Sequence, residues 1–348
     1  MSRKSFGTLR FTTHHSPLTT HHSPLTTHPQ IMSEFDLIRR HFTRQTLGAL
    51  LGVGDDAALL QVGAGKVLAV SSDMLVAGIH FFADADPYCL GHKTLAVNLS
   101  DLAAMGAVPR WATLAISLPQ ADDAWLAAFS AGFFALAEKY SVDLVGGDTT
   151  RGPLNLCVTI MGEVLPQQAL RRSGARVGDE IWVSGRLGDA ALALACLQGK
   201  IVLSAEDFAA CAPALHQPQP RVALGLALRG IAHSAIDVSD GLLADLGHIL
   251  EASQVGAVLD FSAMPVSATL YAHLLEEYGK RCVLAGGDDY ELCFTVPAAR
   301  HDEVLRFAAQ LELPLAHIGN IVAGRGCVVH DAAQQPINLE GGGYDHFR

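Results

Sequence analysis

Aspartates recur along the chain where apolar segments end, most of them beside glycine or serine. Two adjacent pairs are Asp55–Asp56 and Asp288–Asp289, and the single acids are Asp73, Asp101, Asp148, Asp237 and Asp240. One aspartate beside glycine is usually a turn or cap residue, but adjacent like charges cost energy unless cations offset them. Carboxylates without nearby histidine or cysteine suit Mg²⁺, which proteins commonly bind together with substrate phosphates. The acids therefore predict magnesium and a phosphorylated substrate.

Three further motifs could contact phosphate groups. GGDTTRG, residues 146–152, has paired glycines that let backbone N–H groups approach a ligand. RRSG offers the guanidinium of Arg172, which suits phosphate oxygens. SDG, residues 239–241, opens a predicted helix, so its serine or aspartate is either the N-cap or part of an anion site. His80, in AGIHF, is either a structural residue or a catalytic one.

Two common nucleotide-binding motifs fit poorly. GVGDDA loosely matches the dinucleotide fingerprint, but Asp55 and Asp56 would repel the pyrophosphate. Around GAGKV, Leu60 stands at the early glycine position of a P-loop and Val67 follows Lys66. The sequence also shows no obvious Ser/His/Asp or Cys/His arrangement, so neither motif nor a nucleophilic triad explains the acids.

The elements that must position these residues follow from the apolar patterns. In the first half, the patterns predict strands near 57–62, 66–72, 110–118 and 155–164, and helices near 87–105 and 121–140. GAGK, residues 63–66, is predicted to be the turn of a hairpin between the first two strands. Asp122 and Asp123 fall in the first turn of the second helix, where the helix dipole favours negative charge.

The polar segment 166–180 is the predicted boundary between two α/β domains with mixed sheets, 32–165 and 166–348. In the second domain, strands are predicted at 180–185, 234–239, 256–261 and 291–297, and helices at 188–198, 220–232, 241–253, 267–278 and 298–310.

Composition narrows the possible partners and compartment. The formal net charge of the 348 residues is −11 without any basic block, which argues against nucleic acid or an anionic membrane as partner. The seven cysteines are scattered and lack a CxxC pair, which favours a reducing cytoplasm over a disulfide framework. No apolar run reaches about 18 residues, so a spanning helix is not predicted.

The first 31 residues differ from the rest. TTHHSPL occurs at 12–18 and again at 19–25. A histidine-rich tract could bind metal, but we expect a disordered extension here, with the functional protein beginning at Met32.

The chain contains a long series of motifs in a fixed order: GVGDDAAL, SSDMLVAGIHF, KTLAVNLSDLAAMGA, GGDTTRG, RRSGARVGD, IDVSDGLLADLGHI, GGDDYELCF and GYDHF. With these motifs, residues 32–348 closely resemble the thiamine-monophosphate kinase family. The resemblance implies the two-domain fold of aminoimidazole ribonucleotide synthetase, with N-terminal ATP- and magnesium-binding domains that pair in a homodimer to form a β-barrel. It also implies in-line transfer of the γ-phosphoryl group of ATP onto thiamine monophosphate, assisted by several Mg²⁺ ions. The acceptor is a phosphate oxygen that is already ionised near neutral pH, so no general base is expected.

The resemblance further implies residue roles. The magnesium positions are Asp56, Ser71, Ser72, Asp73, Asp101, Asp148, Asp237 and Asp240. The ATP contacts are Gly147, Asp148, Arg172 and Ser239, and the substrate contacts are His80, Asp288 and Gly341. Asp101, Asp148 and Arg172 are expected to position the reacting groups in the transition state.

Two positions depart from the family pattern. Asp288 stands where the family often has glutamate, which shortens the side chain by one methylene. Gly341 stands where the family often has an aromatic residue, so either another ring such as Tyr344 substitutes for it or substrate affinity is reduced.

Other functions stay open at this stage. A selenophosphate synthetase normally needs an N-terminal cysteine or selenocysteine, and the first cysteine here is Cys89. An aminoimidazole ribonucleotide synthetase-like ligase is possible on fold alone. A catalytically silent metal or nucleotide sensor is the alternative from a different class.

Overall fold

The structure, a computed structural model, describes residues 33–337. The predictions for residues 1–31, Gly341 and the GYDHF motif lie outside this range. None of the helices within residues 33–337 has the length and apolar character needed to cross a membrane.

The first half contains one four-stranded sheet and two long helices. Its elements are α1 (Glu34–Leu37), a π-helical turn (Ile38–Phe42), β1 (Val67–Val76), α2 (Pro87–Ala104), β2 (Val108–Leu118), α3 (Asp123–Tyr140), β3 (Asp143–Arg151) and β4 (Asn155–Val164). The strand order is β1-β4-β2-β3, with β2 and β3 parallel and the other pairs antiparallel. The predicted helices at 87–105 and 121–140 are confirmed as α2 and α3.

Both helices begin at side-chain caps that the sequence encodes. The Asp86 carboxylate accepts a hydrogen bond from the backbone N–H of Cys89 at 2.8 Å, and Pro87 occupies the first turn of α2. The Asp122 carboxylate accepts hydrogen bonds from two backbone N–H groups in the first turn of α3. The two helices pack closely at Gly91, where a Cβ would lie only 2.0 Å from the carbonyl oxygen of Phe129.

The strand predicted at 57–62 is wrong. Only Leu59 in this segment makes a β-bridge, to Leu51, so the turn that forms at 63–66 does not join the predicted hairpin. The alternating apolar pattern does not form a strand because no partner strand lies beside it, and Leu59 stays 56% exposed. The next strand, β1, is consequently an edge strand that pairs only with β4.

The second half forms a six-stranded sheet with helices on it. Its elements are a 3-10 turn (Pro166–Gln168), β5 (Asp179–Ser184), α4 (Asp189–Leu197), α5 (Ala205–His216), α6 (Val222–Ala227), β6 (Ser234–Val238), α7 (Leu242–Ser253), β7 (Gly256–Asp260), a 3-10 turn (Phe261–Ala263), α8 (Ala268–Tyr271), α9 (Glu277–Ala285), β8 (Glu291–Pro297), a 3-10 turn (Ala298–Arg300), α10 (His301–Gln310), β9 (Leu315–Val322) and β10 (Gly326–His330). The strand order is β10-β7-β9-β5-β8-β6.

Several predictions for this half need correction. The helix predicted at 267–278 is two helices, α8 and α9, because the chain turns back between them until Gly279 lies against the carbonyl of His273. The helix predicted at 220–232 ends at Ala227. The helix α5 and the strands β3, β9 and β10 were not predicted.

Helix α2 joins the two halves. One apolar core cluster contains Leu95 and Leu99 of α2 together with Trp182 and Phe294 of the six-stranded sheet. Helix α6 also packs on α2, and a Cβ at Gly225 would lie 2.0 Å from a backbone oxygen of α2. Polar residues on α2 therefore stand where both sheets can reach them.

Candidate active site

Three polar side chains of α2 tie the strands β1 and β6 to this helix. The buried Asn98 accepts a hydrogen bond from the backbone N–H of Asp73 at 3.2 Å. Ser100 donates to the Asp237 carboxylate at 2.8 Å, and Asp101 accepts from Ser71 Oγ at 2.5 Å. The NLSD motif thus places acids from β1, α2 and β6 in one cluster.

The acids in this cluster are crowded together, so that repulsion between like charges adds to the effect of burial. Burial, followed by the charges of Asp101 and Asp237, raises the pKa of Asp73 to about 7. Burial and then the charge of Asp101 likewise raise the pKa of Asp237 to about 7. Burial also raises the pKa of Asp101, which the Ser71 hydroxyl and the charge of Arg172 oppose. Crowded carboxylates with only oxygen donors fit a hard divalent cation.

The SDG loop beside this cluster is held by an acid that the sequence did not single out. The Asp245 carboxylate accepts hydrogen bonds at 3.0 Å from the backbone N–H groups of Ser239 and Asp240. Burial, followed by the charge of Asp237, raises the pKa of Asp245 to about 7. Helix α7 begins after Gly241, so the N-cap role considered for Ser239 or Asp240 is wrong.

The GGDD loop places its two acids in different environments. Asp288 has φ +69°, and its N–H donates to the Ser239 carbonyl at 2.8 Å. Its carboxylate lies 3.2 Å from the buried ammonium of Lys93 and accepts from the Tyr290 hydroxyl at 3.1 Å. The Asp289 carboxylate is buried and accepts a hydrogen bond from the backbone N–H of Gly188, just before α4. Asp289 is therefore structural, and this pair does not form a two-acid metal site.

A cavity of about 1020 Å³ opens beside the acid cluster. Asp73, Asp101, Asp237, Ser239, Asp240 and Asp288 line its polar side. His80, Phe81, Phe82, Leu194 and Tyr290 line another part, together with Lys93 and His216. The ring Nδ1 of His80 accepts from the backbone N–H of Val76 at 3.0 Å, which fixes the orientation of the ring. The cavity thus combines carboxylates with an aromatic and cationic region.

Other predicted site residues lie outside this cavity lining. Asp56 and Asp148 are exposed, and neither lines the cavity. The Ser72 side chain points to the opposite face of β1 from Asp73, where its Oγ contacts Thr159 Oγ1 at 2.9 Å. Gly147 cannot carry a side chain, since a Cβ there would lie 1.8 Å from the Leu114 carbonyl oxygen.

Sequence reasoning missed several residues that hold this site together. They are Lys93, Asn98, Ser100, Asp245 and Tyr290. A usable signal existed for three of them, because Lys93, Asn98 and Ser100 are polar residues of the predicted helix that contains Asp101. Asp245 and Tyr290 bond residues only two to six positions away, which the periodic apolar pattern does not reveal.

Comparisons with known proteins agree with the arrangement. The AIR synthase related protein, N-terminal domain, matches residues 54–164, and the corresponding C-terminal domain matches residues 176–332. The thiamine-monophosphate kinase of Escherichia coli (strain K12) is 48% identical over 320 residues, covering 90% of this chain and 98% of the relative.

Two solved structures are similar as well. The crystal structure of thiamine-monophosphate kinase from Stenotrophomonas maltophilia K279a is 51% identical with a TM-score of 0.78, covering 84% of this chain and 94% of that one. The structure of AaThiL complexed with AMPPCP and TMP is 28% identical with a TM-score of 0.72, covering 93% of this chain and 100% of that one.

Proposed function

The chain belongs to the thiamine-monophosphate kinase family, and from that premise we propose that it phosphorylates thiamine monophosphate with ATP to give thiamine diphosphate and ADP. The observation that carries the proposal is the cluster of Asp73, Asp101 and Asp237 in the wall of the cavity. The kinase name of the Escherichia coli relative and the AMPPCP and TMP of the AaThiL complex support the same reaction.

The residues of the cluster suit phosphoryl transfer without a general base. We propose that several Mg²⁺ ions bind to Asp73, Asp101, Asp237 and Asp240, with Asp56, Ser71, Ser72 and Asp148 as further magnesium positions. When bound, Mg²⁺ would supply positive charge to the phosphate oxygens of both substrates. The protein's part is to hold the carboxylates in place, to which Ser71 and Ser100 contribute by donating hydrogen bonds to Asp101 and Asp237.

The two substrates would occupy different parts of the site. We propose that Gly147, Asp148, Arg172 and Ser239 contact ATP, which the proximity of the Arg172 charge to Asp101 supports. The thiamine monophosphate would lie toward His80 and Asp288, and Gly341 remains a predicted contact outside the described residues. The ammonium of Lys93 balances the charge of Asp288 there and leaves its second oxygen to the Tyr290 hydroxyl.

We also propose a homodimer in which two N-terminal domains pair through their sheets into a β-barrel. The support is the edge strand β1, whose outer face carries Val70 and Met74 at 57% and 54% exposure. Exposed apolar residues on an edge strand are a surface that proteins normally cover.

The remaining organisation follows the same resemblance. We propose domains at 32–165 and 166–348, a disordered and dispensable segment 1–31, and a cytoplasmic location. The location is supported by seven free cysteines, since thiols stay reduced in that compartment.

The deciding experiment incubates the protein and Mg²⁺-ATP in parallel with thiamine monophosphate, thiamine and formylglycinamidine ribonucleotide, and resolves the products by chromatography. Thiamine diphosphate and ADP formed only with thiamine monophosphate would support the proposal. ADP formed with the ribonucleotide instead would move the function to the ligase alternative. Calorimetric binding of nucleotide without turnover of any substrate would indicate the sensor.

The predicted metal positions need their own test. We expect Asp101→Asn and Asp148→Asn to lower turnover about 100-fold or more without unfolding the protein, since each removes charge that positions the phosphates. The exposed Asp302 offers a control, and Asp302→Asn should retain wild-type turnover. Near-wild-type activity of either test variant at limiting Mg²⁺ would refute its assignment.

A further inference from the structure

A second group of metal-ligating side chains lies on the six-stranded sheet. Glu180 is on β5, His317 is on β9, and His301 is the first residue of α10. One potential ligand atom from each side chain lies within 4.8 Å of the other two. None of the three lines the cavity of the candidate active site.

A bulge in β9 brings one of these histidines to the other two residues. The β5–β9 ladder is regular as far as Ile181, but Trp182 then pairs with His317, so Ile318 is an extra residue. In a regular ladder His317 would point to the opposite face, because side chains alternate along a strand. With the bulge, it shares the face of Glu180 and Trp182. Bulges commonly redirect a side chain beside a functional site.

The hydrogen bonds orient the possible ligands. Nε2 of His317 lies 2.9 Å from the Gly319 carbonyl oxygen, which can only accept, so Nε2 carries a hydrogen. The neutral His317 ring therefore has its free lone pair on Nδ1. The indole N–H of Trp182 donates to the Glu180 carboxylate at 3.0 Å, and that carboxylate lies 2.9 Å from Nδ1 of His301. Ligating histidines and carboxylates commonly have such outer partners.

The cluster is also accessible from solvent. The Glu180 side chain is only 12% exposed, so few water molecules can reach its carboxylate, whereas the His301 side chain is 40% exposed. An ion could therefore reach the cluster past His301 without opening the sheet.

We propose that Glu180, His301 and His317 bind one divalent transition-metal ion of the zinc class. Two imidazoles and one carboxylate are a known zinc ligand set, whereas Mg²⁺ and Ca²⁺ prefer oxygen ligands only. The ion displaces the hydrogen shared by His301 and Glu180, which is released to the solvent as a proton, and it links β5, β9 and the start of α10. This site is separate from the magnesium proposed for phosphoryl transfer, and its occupancy does not depend on the proposed function.

Zinc calorimetry on the full chain, produced without an affinity histidine tag and stripped with a chelator, tests the site. The histidines of residues 12–28 could bind zinc themselves, so variants are compared within the same full chain. We expect His301→Ala/His317→Ala to bind one zinc ion fewer than the wild type. The matched control is His248→Ala, which removes an exposed histidine of α7 and should leave the stoichiometry unchanged. Equal zinc stoichiometry in the double variant and the wild type would overturn the proposal.

Tryptophan fluorescence gives a second, local measurement. The Trp182 ring lies 5.1 Å from the His301 ring and 5.4 Å from the His317 ring, so Cu²⁺ bound there should quench its emission. Trp182→Phe should remove this quenching and weaken Cu²⁺ binding about 10-fold, since it deletes an outer partner. Quenching that persists in Trp182→Phe would place the Cu²⁺ elsewhere and overturn the proposal.

A conservative variant covers the case in which the double variant fails to fold. Glu180→Gln keeps the volume of the side chain and an acceptor for Trp182, but removes the anionic ligand. We expect its zinc affinity to fall at least about 10-fold. Unchanged zinc affinity in a folded Glu180→Gln protein would show that the cluster is only a hydrogen-bonded contact between β5 and α10.

Discussion

Removing one acid from the active-site cluster should stabilise the metal-free protein while it destroys activity. Asp237 is 5% exposed, and its pKa is raised from 3.8 to about 7, first by burial and then by Asp101. In the folded state this carboxyl keeps its proton to a higher pH than in the unfolded state. The stability it contributes is therefore fully present below pH 3.8 and is lost as the pH rises through about 7.

The size of the effect follows from the same values. A rise in the pKa of Asp237 from 3.8 to about 7 corresponds to roughly 4 kcal/mol of unfolding free energy, at about 1.36 kcal/mol for each pH unit. Asp73 shares the repulsion, so Asp237→Asn should recover part of this sum, roughly 2–4 kcal/mol at pH 8. At pH 4 the two proteins should be almost equally stable, because the acid is then largely protonated in the folded wild type.

The assay is urea unfolding of the wild type and Asp237→Asn at pH 4 and pH 8, each with EDTA and with Mg²⁺. We expect the variant to be more stable at pH 8 in EDTA, to gain less from Mg²⁺, and to lack turnover. Asp302→Asn, at an exposed position, should behave as the wild type. A variant that is less stable than the wild type at pH 8 in EDTA would refute the view that like charges are crowded in this cluster.

Three further substitutions test other parts of the structure. Lys93→Met should raise the KM for thiamine monophosphate about 10-fold with less effect on kcat, because it leaves the negative charge of Asp288 without its partner. Steady-state kinetics would check this, with the exposed Lys200→Met as control, and an unchanged KM would contradict it. Asp245→Ala should lower the unfolding free energy by about 1–3 kcal/mol, since two backbone N–H groups lose their acceptor; denaturant unfolding should show Asp245→Asn less affected. Val70→Lys should produce monomers in light scattering, whereas Val328→Lys on β10 should not, and a dimer in both would exclude β1 as the interface.

The parts of the fold that local chemistry determines were predictable from the sequence. Helices α2 and α3 have aspartate caps and long apolar segments, and both were found near their predicted bounds. The strand β3 was not predicted because GGDTTR lacks an apolar alternation, and it forms through parallel pairing with β2. The segment 57–62 shows the reverse case, in which a strand-like pattern has no partner strand.

The acids of the candidate site were predictable from the sequence, but the residues that hold them in place were not. Asp73, Asp101 and Asp237 could be selected by residue type and by family resemblance, but their grouping depends on contacts between segments far apart in the chain. The pairing of Lys93 with Asp288 spans almost two hundred positions. The different surroundings of Asp288 and Asp289 were not predictable either, since Asp288 contacts Lys93 whereas Asp289 accepts from the backbone N–H of Gly188.

The close contacts of α2 with its neighbours have a consequence for adaptation of the enzyme. Gly91 lies against α3, and Gly225 of α6 lies against the end of α2 at Ala103, so even an alanine at either position would displace the helix. Because Asp101 is on this helix, such a displacement would change the spacing of the acids although neither glycine contacts them. The fixed spacing of the carboxylates thus depends on two glycines that do not contact them. Mutations that alter catalysis without disturbing this spacing should leave both glycines unchanged.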